Sequence, residues 1–284
     1  MHLSLVVLAA GLGSRFGSLK QLVPVGPHGE TILDYTAYDA HRAGFKRIVF
    51  VIRQEMVEAF HPFASRFRGA LEVKLAFQQT EDAPKGALVK GRVRPWGTAH
   101  ALLAAAPHVS EALAVCNADD FYGAEAFAAA FAFLRDLKPA KVTWALAGYP
   151  ADATLSSQGP VNRAVCRVDE KGWLIDLEER RLEPGDVPAG GGTIVSMNLW
   201  CFTQELFAHL RTGFDEFAMR AGPAQEYLLP DAVREALRAG LARVKVLPPA
   251  KGWFGLTYAH DRETAAEMLR ALHAQGRYPE SLWR

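Results

Sequence analysis

Residues 5–10 read Leu-Val-Val-Leu-Ala-Ala without a polar interruption and run straight into Gly11-Leu12-Gly13. An apolar run this short fits a strand covered on both faces, and the glycines after it let the chain turn sharply. Sheets covered on both faces are parallel sheets with helices above and below, so this one junction points to an α/β architecture. Residues 48–52, Ile-Val-Phe-Val-Ile, repeat the signal. Strands are expected at 3–9, 46–52, 71–77, 112–117 and 142–148, alternating with helices at about 31–42, 55–67, 98–106 and 124–137.

Past residue 150 the pattern changes. Short strands at 165–168 and 174–177 flank the turn Asp169-Glu170-Lys171-Gly172, and 194–202 is a longer strand entered from Gly190-Gly191-Gly192. This half reads as an antiparallel extension packed on the α/β core, closed by helices at about 225–239 and 262–274 around a strand at 242–247. Without an internal repeat or low-complexity linker, the 284 residues are expected to form one domain with two lobes, about 1–150 and about 151–284.

Composition narrows the function classes. Half the residues are hydrophobic and 22% are charged, as in globular proteins. The run 5–10 has no basic segment before it and is too short to span a bilayer, so neither a signal peptide nor a membrane helix is expected. Three scattered cysteines without C-x-x-C indicate neither a disulfide framework nor a zinc ribbon, and a cytoplasmic location is the default expectation. Lys and Arg number 32 against 31 Asp and Glu, leaving no bulk field to grip nucleic acid or an anionic membrane. An acidic ligand must therefore be met by local charge.

Such charge follows the first strand. Gly11 and Gly13 allow close backbone approach and turn N–H groups toward an anion, while Arg15 and Lys20 add fixed positive charge. The loop suits a polyphosphate. It is not the dinucleotide fingerprint G-x-G-x-x-G, because Phe16 stands where the third glycine belongs, nor a Walker A loop, because Lys20 lacks the flanking Gly and Ser or Thr. The alternative is a plain glycine-rich turn with two surface cations.

The segment Ala9-Ala10-Gly11-Leu12-Gly13-Ser14-Arg15 with Lys20 beyond it resembles the opening motif A-A-G-x-G-S/T-R of the nucleotidyltransferases that activate sugar phosphates and related alcohols, the NDP-sugar pyrophosphorylase-like family. Gly97-Thr98-Ala99-His100-Ala101 resembles that family's G-T-x-H-A base-binding loop, and Asn117-Ala118-Asp119-Asp120 its acidic strand-end motif. Glu178-Glu179 and the stretches 197–200, 226–231 and 253–261 are similar to later family segments. The resemblance implies a Rossmann-like, mostly parallel sheet flanked by helices, with the antiparallel part added. It also implies a reaction: a phosphate monoester attacks the α-phosphorus of an NTP, pyrophosphate leaves, and an NDP-linked product forms with Mg2+ as cofactor. The expected partners are an NTP and a phosphorylated small molecule.

Residue roles follow from the same resemblance. Arg15 is expected on the β- and γ-phosphates, and Lys20 on the α-phosphate and the incoming phosphate. The main chain of Leu8, Ala9, Ala10, Gly11 and Gly13, together with Gly97 and Thr98, should contact the nucleotide, with Gln78 or Gln79 as a side-chain reader. Asp119 is the expected Mg2+ ligand, adjacent Asp120 pointing elsewhere. Thr257 stands where relatives carry Asp or Asn as second ligand; Asp261 is the substitute, and it reads equally as a helix N-cap. Glu178 or Glu179 and Asn198 resemble acceptor-hydroxyl positions, although 178–181 also reads as a solvated charged turn.

Other chemistries lack support. No H-x-x-x-H spacing suggests a zinc hydrolase, and no G-x-S-x-G marks a nucleophile elbow. Two alternatives remain within the expected fold. One is a non-catalytic nucleotide or nucleotide-sugar sensor. The other is a cytidylyltransferase for a non-sugar phosphate such as a phosphocholine-like alcohol, which an aromatic cage drawn from Trp173, Trp200, Trp253 and Tyr258 would support.

Overall fold

The computed structural model describes residues 2–11, 20–87, 91–92, 94–138, 142–156, 159–188, 190, 192–248, 252–256 and 261–283, the side chain of Lys20 excepted. The first half runs β1 (Ser4–Leu8), α1 (Ile32–Ala43), β2 (Arg47–Ile52), α2 (Val57–Ser65), β3 (Glu72–Phe77), α3 (Thr98–Ala104), β4 (Leu113–Asn117), β5 (Asp120–Phe121) and α4 (Ala124–Arg135). All residues of β1 are buried, because the strand lies between β2 and β4 and is parallel to both. Thr31 and Asp34 form a capping box that starts α1, and Gly44 ends it at φ 116°, the left-handed conformation a helix stop favours.

The second half continues β6 (Thr143–Pro150), β7 (Val161–Val168), β8 (Leu174–Leu182), β9 (Ile194–Phe202), α5 (Glu205–Ala218), α6 (Leu229–Arg238), β10 (Arg243–Leu247), β11 (Phe254–Gly255) and α7 (Asp261–Ala274). The main sheet is ordered β10-β6-β9-β4-β1-β2-β3, with β7 and β8 joined to it through β9. The antiparallel part is thus woven into the sheet, β9 lying between β6 and β4, rather than packed upon it. Helix α5 is an element the sequence reading lacked; it buries Leu206, Leu210, Phe214 and Ala218, one residue per turn. The helix expected from residue 225 begins at Leu229, because Tyr227 is held extended: its N–H donates to Trp96 O at 2.7 Å and its carbonyl accepts from Ala99 N at 3.0 Å. The charged run 178–181 belongs to β8 and is no turn.

One irregularity places the site. The C-terminal half of β9 pairs with β4 through Trp200, Cys201 and Phe202, whereas its N-terminal half pairs with β7 through Ile194, Val195 and Ser196. Between them the register with β6 slips, Leu146 facing Trp200 and Gly148 facing Ser196, so residues 197–199 form a bulge. There β4 leaves β9 and β7 takes its place, and a cleft opens at the fork.

The chain end clasps α1. Asp39, almost fully buried in that helix, accepts a hydrogen bond from Tyr278 Oη at 2.7 Å. Burial pushes its carboxyl up to about 7; Glu125 adds to the rise, while the Tyr278 hydrogen bond, Arg42 and Arg277 oppose it. An unfolded Asp titrates near ~3.9, so the folded state holds this proton more tightly. The stabilisation is full below that value and is lost as pH rises toward about 7. Urea unfolding from pH 4 to 8 should show wild type losing stability relative to Asp39→Asn, whose own pH profile should lack this component.

Candidate active site

Strands β1 and β4 end level with each other, Leu8 beside Asn117, so the glycine loop and the acidic segment leave the sheet together. Ala118 N–H donates to Leu8 O at 3.1 Å, and Ala9 N–H donates to Val51 O at 2.8 Å. Buried Gln21, whose role the sequence reading missed, straps the loop by donating from Nε2 to Ala9 O at 3.0 Å and Gly11 O at 3.3 Å. These bonds fix the backbone where it leaves β1; residues 8–11 are not among those lining the cleft at the fork. A Cβ at Gly11 would meet nothing within 4 Å, so packing does not call for glycine there. Gly13 and Arg15 lie outside the described residues; Lys20 starts the short turn Lys20–Leu22.

The cleft, about 200 Å³, gathers Asn117, Asp119 and Asp120 from the end of β4, Arg163 from β7, Glu179 from β8 and Asn198 from the β9 bulge. Asn198 has φ 60°, a left-handed conformation that Asn tolerates better than most residues, and the bulge turns its side chain into the cleft. A hydrogen-bonded chain fixes the floor. Trp200 Nε1 donates to Asn198 Oδ1 at 3.2 Å, Asn198 Nδ2 to Asn117 Oδ1 at 3.4 Å, and Asn117 Nδ2 to Asp120 Oδ2 at 2.9 Å. Tyr122 Oη lies 3.2 Å from the same Asp120 oxygen and 2.6 Å from Met197 O. Asp120 therefore lines the cleft with Asp119 instead of pointing away, and one of its oxygens anchors this chain.

Across the fork, strand alternation separates the two expected glutamates. Glu178 is not among the residues lining the cleft; it faces solvent and pairs with Arg180 at 2.8 Å, while Glu179 opens into the cleft. The desolvation cost of charging it, then Asp231, hold the Glu179 carboxyl above its ordinary value, with Arg163 opposing. If the cleft takes the phosphorylated acceptor that the sequence resemblance implies, Glu179→Gln should raise the acceptor KM about tenfold at unchanged NTP KM, the size of a lost charged hydrogen bond. Glu178→Gln should change neither constant when both substrates are varied in steady state.

The other flank is built by α3 and the start of α6. Gln78 Nε2 donates to Gly97 O at 2.9 Å and lies 3.3 Å from His100 Nδ1. His100 stacks on Phe214 with 4.3 Å between ring centroids. Burial, aided by Arg211 and Arg92, depresses it to about 4, so it is neutral and serves as a packed spacer for Gln78. Thr98 lines the cleft, and its Oγ1 accepts from Leu229 N at 2.9 Å, satisfying one N–H at the start of α6.

Asp261 is the first residue of α7 and is not among the residues lining the cleft; Thr257 lies outside the described residues. Among the described residues no three His, Cys, Asp or Glu side chains are grouped to enclose a metal. Asp119 and Asp120 nonetheless present hard oxygen donors at one cleft, and Mg2+ commonly takes one or two carboxylates with substrate phosphates and water completing its shell. The donor set fits that ion and suits zinc poorly. The three of the four aromatics considered for a cage that lie among the described residues are dispersed. Arg243 lies 3.8 Å over the Trp173 ring, Trp200 stacks in the core on Phe202, Trp253 lines the cleft, and Tyr258 lies outside the described residues.

Comparison with known proteins bears on the family and the fold. The sequence pattern of the MobA-like NTP transferase domain matches residues 5–147, half of the chain. No curated protein sequence matches. Among solved structures, the chain is similar to the inositol-1-phosphate CTP transferase from T. maritima, with a TM-score of 0.66 at 15% identity over 95% of each chain. It is also similar to a UDP-glucose pyrophosphorylase complexed with UDP-glucose, with a TM-score of 0.62 at 15% identity, over 97% of this chain and 100% of that one. Identity this low speaks to the fold. No helix among the described residues is long and apolar enough to cross a membrane.

Proposed function

Since the chain belongs to the family of MobA-like NTP transferase domains, enzymes that transfer nucleotidyl groups, we propose that it acts on a phosphorylated polyol, a sugar or sugar-like alcohol, with Mg2+ held at Asp119. The observation that carries the reading is that Asp119 and Asp120 open onto the same cleft as Asn198 and Glu179. Metal-binding donors thereby stand next to groups suited to hydroxyls. Bound there, Mg2+ would neutralise charge on the triphosphate.

The remaining steps belong to the chain itself. A phosphate monoester has a second pKa near ~6 and is mostly dianionic at neutral pH, so it attacks the α-phosphorus without a general base. The protein must align that oxygen opposite the leaving pyrophosphate and offset the accumulated negative charge. Arg15 and Lys20 take the second task in this proposal, Arg15 at the leaving pyrophosphate and Lys20 at the α-phosphate. The amides and hydroxyls of Asn117, Asn198 and Thr98 suit a ligand rich in hydroxyl groups. A quaternary ammonium is disfavoured, because Trp253, the one cage candidate among the described residues that lines the cleft, already has the Arg163 guanidinium 5.3 Å from its ring centroid.

A panel of the common NTPs against sugar 1-phosphates and phosphoalcohols, with Mg2+ and pyrophosphate as readout, tests the proposal. Release is expected with at least one phosphopolyol pair and is expected to need Lys20. Tight NTP or NDP-sugar binding without any release, unaltered in Lys20→Ala, would instead identify a sensor.

A further inference from the structure

We infer that Arg163 is the acceptor-side anion-binding residue of the cleft, its guanidinium taking a phosphate oxygen of the incoming phosphomonoester. This rests on the nucleotidyl-transfer reading for its biological meaning, though not for its test.

The charge pattern of the cleft calls for such a group. Asp119, Asp120 and Glu179 place three carboxyl side chains around about 200 Å³ of space. A dianionic acceptor entering that space alone would meet like charges at close range in a partly desolvated setting. Arg163 is the one cationic side chain among the described residues lining it. Its position is set before any ligand arrives: Nη1 donates to Asn162 O at 2.8 Å, Nη2 donates to Thr154 O at 2.6 Å, and the Trp253 ring lies beneath.

The two carbonyl bonds engage two of the five N–H donors of a guanidinium and Nε is itself buried, which leaves the second N–H of Nη1 and of Nη2 for a ligand. A guanidinium held in place by neutral carbonyls, with no direct ion pair to the cleft carboxylates among the described residues, keeps donors for a ligand, and its planar fork suits phosphate oxygens. Burial nudges the group toward neutrality, and Asp120, Glu179 and Asp119 act against that loss; an arginine so placed stays charged at neutral pH. The same carboxylates account for an arginine in a cleft whose other named groups suit hydroxyls.

Along β7, Ala164 pairs with Ser196 at the near side of the β9 bulge and with Glu179 on β8, so strand alternation sends the Arg163 side chain to the opposite face, the side of Trp253. A phosphate held by Arg163 would therefore lie across the fork from Glu179, leaving that carboxyl group to the acceptor's hydroxyls.

Calorimetric binding of glucose 1-phosphate and myo-inositol 1-phosphate to wild type, Arg163→Lys and Arg163→Gln tests the assignment without requiring turnover. Binding of at least one probe is expected in wild type. Arg163→Gln should weaken it about tenfold or more and Arg163→Lys should recover most of the loss. Arg163→Gln also gives up the bonds to Asn162 O and Thr154 O, so its melt should shift down while the protein stays folded, and the binding of NTP serves as the control for an intact cleft. Where turnover is measurable, the acceptor KM should rise while the NTP KM stays within about twofold. Wild type that binds neither probe at millimolar concentration, undiminished binding by Arg163→Gln, or an equal loss of NTP affinity would overturn the assignment. Absence of pyrophosphate release from wild type that still binds the probes through Arg163 would count against the transfer reading alone.

Discussion

Asp119→Asn is expected to lower kcat by about 10²–10³-fold while leaving the folded structure intact. Asn keeps the size and shape of Asp and removes the charge on which the proposed Mg2+ binding depends. The backbone role of the position survives the change, since Asp119 O accepts a hydrogen bond from Leu256 N at 2.9 Å. Asp120→Asn should cost much less, about tenfold. One of its oxygens already accepts from Asn117 Nδ2, so its main contribution is to hold that amide and, through it, Asn198. Steady-state pyrophosphate release across a Mg2+ titration separates the two: Asp119→Asn should shift the metal requirement to far higher concentration, and Asp120→Asn should shift it little. Equal losses from both substitutions would remove the distinction between them.

Gly97→Ala is expected to cost about 2–4 kcal/mol of stability and to abolish most activity. Gly97 has φ 102°, and a Cβ there would lie 2.4 Å from Tyr227 O and 2.7 Å from Tyr227 N, both backbone atoms. Those two groups make the bonds to Ala99 and Trp96 that tie the start of α6 to α3. Relief of the clash must push residues 227–229 away, loosening the bond between Leu229 N–H and Thr98 Oγ1 at the cleft wall. The melting temperature should fall by about 5–10 °C. Gly240→Ala is the control: φ is 66° there, but nothing lies within 4 Å of the added Cβ, so the cost should be about 1 kcal/mol from backbone conformation alone. Similar losses at the two positions would show that the Tyr227 contact does not matter.

The legible and illegible parts of this molecule differ for physical reasons. The first strand was readable because a strand covered on both faces must be continuously apolar. Asp119 was readable from its place at the end of an apolar strand. The choice between Glu178 and Glu179 was not. Counting in twos from buried Leu177 turns Glu179 inward, whereas counting back from buried Leu182 turns Glu178 inward, so parity alone decides nothing. Pairing settles it, Glu179 standing opposite Ala164 at the cleft.

Arg163 was hidden for a similar reason. Its importance arises where β9 exchanges β4 for β7, a long-range event with no local signature beyond an Asn able to adopt positive φ at position 198. Helix α5 had a signal that went unread, Leu206, Leu210, Phe214 and Ala218 at intervals of four, because Gln204 offers no side-chain cap to mark where it begins. Weaving β9 between β6 and β4 was likewise beyond local pattern, since a buried antiparallel strand is as apolar as a parallel one.

The central claim is that the bond broken lies between the α- and β-phosphates of an NTP and that the α-phosphate moves to the acceptor. It is tested most directly by following radiolabel with the NTP and phosphopolyol that release pyrophosphate. Label at the α-phosphate is expected to appear in an NDP-linked organic product, and label at the γ-phosphate in pyrophosphate, both depending on Asp119. Transfer of the γ-label to the acceptor, or its release as inorganic phosphate while the α-label stays in NDP, would contradict it.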